Sequence, residues 1–232
     1  DLSTVEGVVP SGSFNGCTNI TSVKFGPGLT ALEGGHVSGA FGGCTALTNV
    51  VFDPAANVRF GPGAVFYNCK GLTEIDLSCC VNIYPHNDVT HSNMTSYATF
   101  DYCSNLRKVT FGSKVKFLHN MALYSDSAMV LEEVRFTGAP PEIVGVPYMK
   151  NPTKKVNNQT VYPTITTYIS KKNLTLKNKA GKCWLDYAAD GTIDRRHSTF
   201  AAEYVQYGTY LPDPSARPLI VTEKPGMMLL VR

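Results

Sequence analysis

Apolar residues recur along the first part of this chain at offsets that suit neither an isolated helix nor a hairpin. A phenylalanine is followed by a cysteine at +3 and by apolar side chains at +6, +9 and +11. The run occurs four times: Phe14-Cys17-Ile20-Val23-Phe25, Phe41-Cys44-Leu47-Val50-Phe52, Phe66-Cys69-Leu72-Ile75-Leu77 and Phe100-Cys103-Leu106-Val109-Phe111. A fifth, eroded copy keeps Leu131-Val134-Phe136. Such self-similarity marks a solenoid, in which each repeat buries its apolar edge against its neighbours. The last two positions of each copy alternate and predict a short strand, about Thr21 to Phe25 in the first copy. Turn signals follow each strand, at Gly26-Pro27-Gly28, Asp53-Pro54, Gly61-Pro62-Gly63 and Gly112-Ser113. A second apolar pair then closes the coil: Leu29/Leu32, Val58/Phe60 and Val115/Leu118. The leading Phe recurs after 27, 25 and 34 residues, and the longest insert, between Leu77 and Phe100, predicts a loop on one face. The expected fold is a right-handed solenoid of about five coils over residues 1–140, β-rich with a parallel sheet and an irregular or short helical convex side. A C-terminal cap containing Trp184, with an extension, follows over 141–232.

A repeat scaffold recognises more often than it catalyses, so the outward strand positions are the first candidate site. They are Ser22, Lys24, Asn49, Val51, Glu74, Asp76, Lys108, Thr110, Glu133 and Arg135. Strand side chains alternate, so these ten leave the core if Val23, Phe25 and their equivalents enter it. The face mixes charges, with an acidic centre at Glu74 and Asp76 flanked by Lys24 and Lys108.

Charge changes where the repeats stop. Residues 1–142 carry eight Lys or Arg against twelve Asp or Glu, a net −4. Residues 143–232 carry thirteen against six, a net +7, and the boundary falls near Pro140-Pro141. Between Ile143 and Leu185 stand Lys150, Lys154, Lys155, Lys171, Lys172, Lys177, Lys179 and Lys182, with no acidic residue among them. This segment is the second candidate site, for a polyanion such as a sulfated glycan or a surface polymer, bound in a salt-dependent way. The competing reading is that the lysines solubilise the end of the stack. Nucleic acid is the poorer partner, because no reader motif accompanies the lysines.

Composition narrows the class further. At 232 residues and 43% hydrophobic content the chain can bury a core without staples. Only 17% of residues are charged, a balance that suits a loop-rich, extracellular-type β protein. The longest apolar run, Met227 to Val231, is far too short to span a bilayer. The chain opens at Asp1 with no initiator Met and no basic-plus-apolar leader, so an export signal or lipid-anchor segment is expected to lie outside this sequence.

Residues with reactive chemistry do not assemble a catalytic pattern. Cys17, Cys44, Cys69 and Cys103 take equivalent places on successive coils, about 4.8 Å apart in a strand-spaced stack. Their side chains then run parallel into the core, whereas a disulfide needs its Cβ groups aimed at one another. The expectation is four free, buried thiols acting as small hydrophobes. Cys79 and Cys80 read as reduced thiols at the edge of the insert, and no Cys-x-x-Cys pair supports zinc. His86 and His91 flank Asp88 as incidental histidines of a loop. Asp186, Asp190, Gly191, Ile193 and Asp194 match part of a calcium loop, but Ala188 and His197 stand where ligands are needed, which leaves an Asp-Gly turn as the simpler reading. Asn19, Asn93, Asn158 and Asn173 begin Asn-x-Ser/Thr triplets at a frequency close to chance. No nucleophile elbow, metal helix or phosphate loop is present, so no enzyme, metal or cofactor is expected.

The pattern Ala40-Phe41-Gly42-Gly43-Cys44-Thr45-Ala46-Leu47-Thr48-Asn49-Val50-Val51-Phe52 resembles the BspA-like leucine-rich repeats of bacterial surface proteins. The segment Phe136-Thr137-Gly138-Ala139-Pro140-Pro141 is similar to that family's closing turn. Thr167 to Leu174 and Gly181-Lys182-Cys183-Trp184 resemble its terminal strand and a short helix ending in tryptophan. The resemblance covers about residues 11–190 and departs from the pattern at 78–98, at the fifth copy and at 143–165. It implies a leucine-rich-repeat-like fold, a bacterial, secreted or cell-surface location, and adhesion to host matrix proteins or other cells through the solenoid face.

Overall fold

The computed structural model describes residues 1–83 apart from 36 and 62, then 98–119, 122–123, 131–144, 154–156, 159–161, 165–169, 173, 175–184, 186, 205–207, 220–224 and 227–231. The strands of the repeats are β1 (Gly7–Val9), β2 (Ser22–Phe25), β3 (Leu29–Leu32), β4 (Asn49–Phe52), β5 (Val58–Phe60) and β6 (Glu74–Leu77). They continue with β7 (Cys80–Ile83), β8 (Lys108–Phe111), β9 (Phe117–His119), β10 (Glu133–Phe136) and β11 (Glu142–Val144). Beyond them lie β12 (Lys154–Val156), β13 (Gln159–Val161), β14 (Ile165–Ile169), β15 (Val205–Tyr207), β16 (Ile220–Lys224) and β17 (Met227–Val231).

Odd and even strands form two parallel faces. The order β1-β3-β5-β7-β9-β11 makes one continuous sheet. The other face joins β2 to β4 and, separately, β6 to β8, β10 and β14. The +9 and +11 positions stay in register down this face. Val23 lies beside Val50 and Phe25 beside Phe52. Farther along, Ile75, Val109, Val134 and Thr167 align, as do Leu77, Phe111, Phe136 and Ile169. Both faces run past Pro140-Pro141 through β11 and β14, after which β15, β16 and β17 add antiparallel.

The third side is made of turns, and there the repeat motif explains itself. The residue before each cysteine adopts a left-handed backbone: Gly16 at φ 76°, Gly43 at 74°, Asn68 at 58° and Tyr102 at 62°. Glycine and asparagine enter that region readily, which accounts for three of the four choices. The rings of Phe14, Phe41, Phe66 and Phe100 stack in a column with centroids 5.0, 5.7 and 5.6 Å apart. Each cysteine thiol donates to the carbonyl of the preceding coil's phenylalanine: Cys44 to Phe14 at 3.1 Å, Cys69 to Phe41 at 3.1 Å and Cys103 to Phe66 at 3.0 Å. These thiols are therefore inter-coil donors as well as small hydrophobes. At the far end Trp184 is fully buried, packs on Phe136 at 4.8 Å and donates its indole N–H to the Gly138 carbonyl.

Some expectations need correction. Cys17 is exposed, and Phe14 and Ile20 are only half-buried, because no repeat turn lies beneath the first one. Cys79 and Cys80 are free thiols at the edge of the insert as expected, but both are buried, with Cys80 opening β7. A partial coil, with Leu2 bridged to Phe25 and β1 paired to β3, precedes the first Phe-x-x-Cys run and lacks both of its marker residues. Asn173 is buried, which removes it as a modification site. The histidines and Asp88 of the insert, Asn93 and Asn158, and Asp190 to Asp194 lie outside the described residues.

Truncation of Phe66, fully buried between Phe41 and Phe100, is expected to cost roughly 3–5 kcal/mol in denaturant unfolding of Phe66→Ala. The buried thiols add a pH dependence. Burial pushes Cys44 and Cys79 up to about 12 from the ordinary 9.0. Their protonated forms contribute stability fully below pH 9.0, and that contribution is lost as pH rises toward 12, where the unfolded thiols ionise first. Melting temperatures should therefore fall between those pH values, and fall less steeply in Cys44→Ala than in the parent.

Candidate binding groove on the strand face

All ten outward positions leave the core, as alternation requires: Ser22, Lys24, Asn49, Val51, Glu74 and Asp76 are exposed, and Lys108, Thr110, Glu133 and Arg135 are half-buried. Six of them converge. A cavity of about 390 Å³ opens between β4 and β6, lined by Asn49, Val51, Glu74, Asp76, Lys108 and Thr110. Thr48, Phe52, Pro54 and Ser78 complete its rim, with Val50, Ile75 and Cys79 beneath. Ser22 and Lys24 lie outside this lining, as do Glu133 and Arg135.

The groove exists because one rung of the ladder is missing. At the start of the other strands, paired amides reach the carbonyl one coil back: Thr48 and Asn49 to Thr21, Arg107 and Lys108 to Thr73, Glu132 and Glu133 to Arg107. Among the described residues the equivalent bonds from Thr73 and Glu74 to Thr48 are absent, and β4 and β6 share no paired register. At the strand end, Asp53 and Thr137 donate to Phe25 and Phe111, whereas the Ser78 N–H turns to Asp76 Oδ1 at 2.8 Å. The Ser78 hydroxyl donates to the same oxygen at 2.5 Å. The break coincides with Leu77, where the aligned residues Phe52, Phe111 and Phe136 are aromatic and stack with neighbours. A smaller side chain there interrupts the ring column just where the strands separate.

Electrostatics across the face form a chain. Lys108 Nζ lies 3.7 Å from Glu74 and 3.9 Å from Glu133, and Arg135 pairs with Glu133. Glu74 keeps 68% of its side chain exposed, so it remains open to a partner. Lys114 ties the groove's far end: its ammonium donates to the Pro54 and Ala56 carbonyls, both at 2.8 Å, reaching past the intervening coil. Sequence reasoning missed Lys114 and the rim residues Thr48, Pro54 and Ser78. The one signal available was Asp76-Leu77-Ser78, an Asx-turn spacing that competes with ladder pairing.

The lysine-rich segment is less assembled. Lys177 and Lys179 are exposed and Lys182 is half-buried. Asp186 lies beside them and accepts the Cys183 N–H at 2.8 Å. That bond, with smaller help from Lys177 and Lys182, holds its carboxyl below the usual range. Lys154 and Lys155 stand on β12, while Lys150, Lys171 and Lys172 lie outside the described residues. Among the described residues no group of His, Cys, Asp and Glu is placed to hold a metal ion, and no helix is long and apolar enough to cross a membrane.

Residues 6–137 match the family model described as BspA type leucine rich repeat region, in six copies. That is one more than the four Phe-x-x-Cys copies and the eroded fifth together. No curated protein and no solved structure matches the chain. The family match covers more than half of the residues, and the chain belongs to the BspA-type leucine-rich repeat family. That family is commonly surface- or adhesion-associated and typically non-catalytic.

Removing the Lys114 tie should cost roughly 1.5–3 kcal/mol, the range for hydrogen bonds to charged groups, in equilibrium unfolding of Lys114→Met. Lys24→Met, at an outward position of β2, should change stability by no more than about 0.5 kcal/mol.

Proposed function

We propose that this chain is a non-catalytic binding or adhesion module of the cell surface, which meets a host protein, another cell or a glycan through its even-numbered strand face. The observation that carries this reading is the convergence of six outward strand residues around one groove on a rigid repeat stack. Solenoids position side chains from successive coils at a fixed spacing, and such surfaces recognise extended partners. The face carries Glu74, Asp76 and Glu133 against Lys24, Lys108 and Arg135, a mixed pattern that favours specificity over bulk charge attraction. Family membership supports the extracellular setting.

The test is a binding screen against matrix proteins and a glycan array at two salt concentrations. Glu74→Lys and Glu133→Lys are expected to weaken the selected partner by roughly tenfold, a charge-pair effect of about 1.4 kcal/mol. Lys177→Gln and Lys179→Gln should leave it unchanged. A partner lost in the lysine variants, kept in the face variants and eluted steeply by salt would assign recognition to the lysine-rich polyanion surface instead.

A further inference from the structure

The groove between β4 and β6 has a chemistry more specific than the face around it. Glu74 offers an exposed carboxylate, and Asp76 spends Oδ1 on Ser78, while its Oδ2 has no partner among the described residues. Thr48 and Phe52 line the cavity on the β4 side, and among the described residues their carbonyls accept no ladder bond from Thr73, Glu74 or Ser78. The cation that lines the cavity, Lys108, is shared between Glu74 and Glu133 at 3.7 and 3.9 Å, both longer than a hydrogen bond. Val51, 41% exposed, and Pro54 give an apolar ledge beside these oxygens. The repeats as a whole carry a net −4 over residues 1–142.

We infer that the groove binds an arginine side chain presented by an extended segment of a partner protein. A guanidinium brings five N–H donors in a planar fork and no acceptor, which matches carboxylate oxygens set beside orphaned carbonyls. Its weaker hydration lowers the cost of leaving water, and its methylene stem covers the Val51 and Pro54 ledge. Lys108 gives up its 3.7 Å contact with Glu74 and keeps its 3.9 Å contact with Glu133. An ammonium reaches fewer of these oxygens at once, and a sugar hydroxyl brings no charge to replace Lys108 at Glu74. The inference rests on the strand face being the recognition surface and names the partner chemistry of its groove.

The experiment uses the whole chain and three short peptides that differ only at one central residue: arginine, citrulline or lysine. Amide shifts of the protein are followed by NMR during titration. The arginine peptide is expected to shift Val51, Glu74, Asp76 and Thr110 and to bind roughly tenfold tighter than the isosteric, uncharged citrulline peptide, with lysine between. Glu74→Gln and Asp76→Asn should each erase most of that difference. Both are isosteric, and Asp76→Asn keeps an oxygen for the Ser78 N–H, so the fold is preserved. Equal binding of citrulline and arginine, or shifts confined to Lys24 and Arg135, overturns the inference. If the peptides fail while Glu74→Lys still abolishes capture of a matrix protein or glycan, the groove assignment falls and the strand-face reading stands. If arginine binds in the groove but no matrix protein or glycan is captured, the groove assignment stands and the strand-face reading falls.

Discussion

No coil of this protein has a core of its own, so every buried group must find its partner one coil away. That constraint governs the rest of the structure. The Phe-x-x-Cys turn meets it three times over. Its ring stacks on the next ring, its thiol donates to the previous phenylalanine carbonyl, and its backbone amides reach the following turn, as Phe41 does to Val65 and Gly43 to Tyr67. Cysteine suits this place because its side chain is small and weakly polar and still carries a donor. Each of these phenylalanine carbonyls also accepts the N–H of its own turn's cysteine, as Phe41 does from Cys44 at 3.2 Å, so the thiol fills a second acceptor place that would otherwise face the next coil empty. The ends of the column confirm the rule. Cys17 is exposed where no turn lies beneath it, and the Tyr102 N–H is taken by its own neighbour Asp101 where the next copy has lost the motif.

The groove is the same constraint failing on one face only. Between β4 and β6 the odd-numbered sheet stays continuous while the even-numbered one parts. The stack therefore holds together through β5 and β7, and the released groups on the other side are free for another use. Asp76 absorbs one of them, the Ser78 N–H, and Lys114 anchors the far rim. The site thus needs no loop of its own. It is an interruption in a regular surface, bordered by β4 paired to β2 and β6 paired to β8.

How much of this the sequence revealed follows from which forces are periodic. The coil register, the inward Val and Phe positions and the ten outward residues were all readable, because alternation in a strand leaves no freedom once one face is buried. The Trp184 cap was readable from its resemblance to the family's ending, and its indole does close the stack on Phe136 and Gly138. The groove was not readable, because side-chain alternation fixes which residues face outward and says nothing of whether two neighbouring strands pair. The break coincides with Leu77, which stands where the aligned residues are phenylalanine, a difference that a hydrophobic pattern does not register. The partial first coil escaped for the opposite reason: it packs like a repeat without the marker residues. Cys17 was misread by treating an end of the array as if it were its middle.

Amide hydrogen exchange resolved residue by residue tests the central claim most directly. Arg107 and Lys108 donate to Thr73 at 2.8 and 3.3 Å, and Thr73 and Glu74 occupy the same places one coil earlier without that bond. If the ladder is open between β4 and β6, Thr73 and Glu74 should exchange fast while Arg107, Lys108, Glu132 and Glu133 are protected. Addition of the arginine peptide should leave the protected amides unchanged. Equal protection at Glu74 and Lys108 in the free protein would show a continuous sheet, and the groove on which this account rests would not exist.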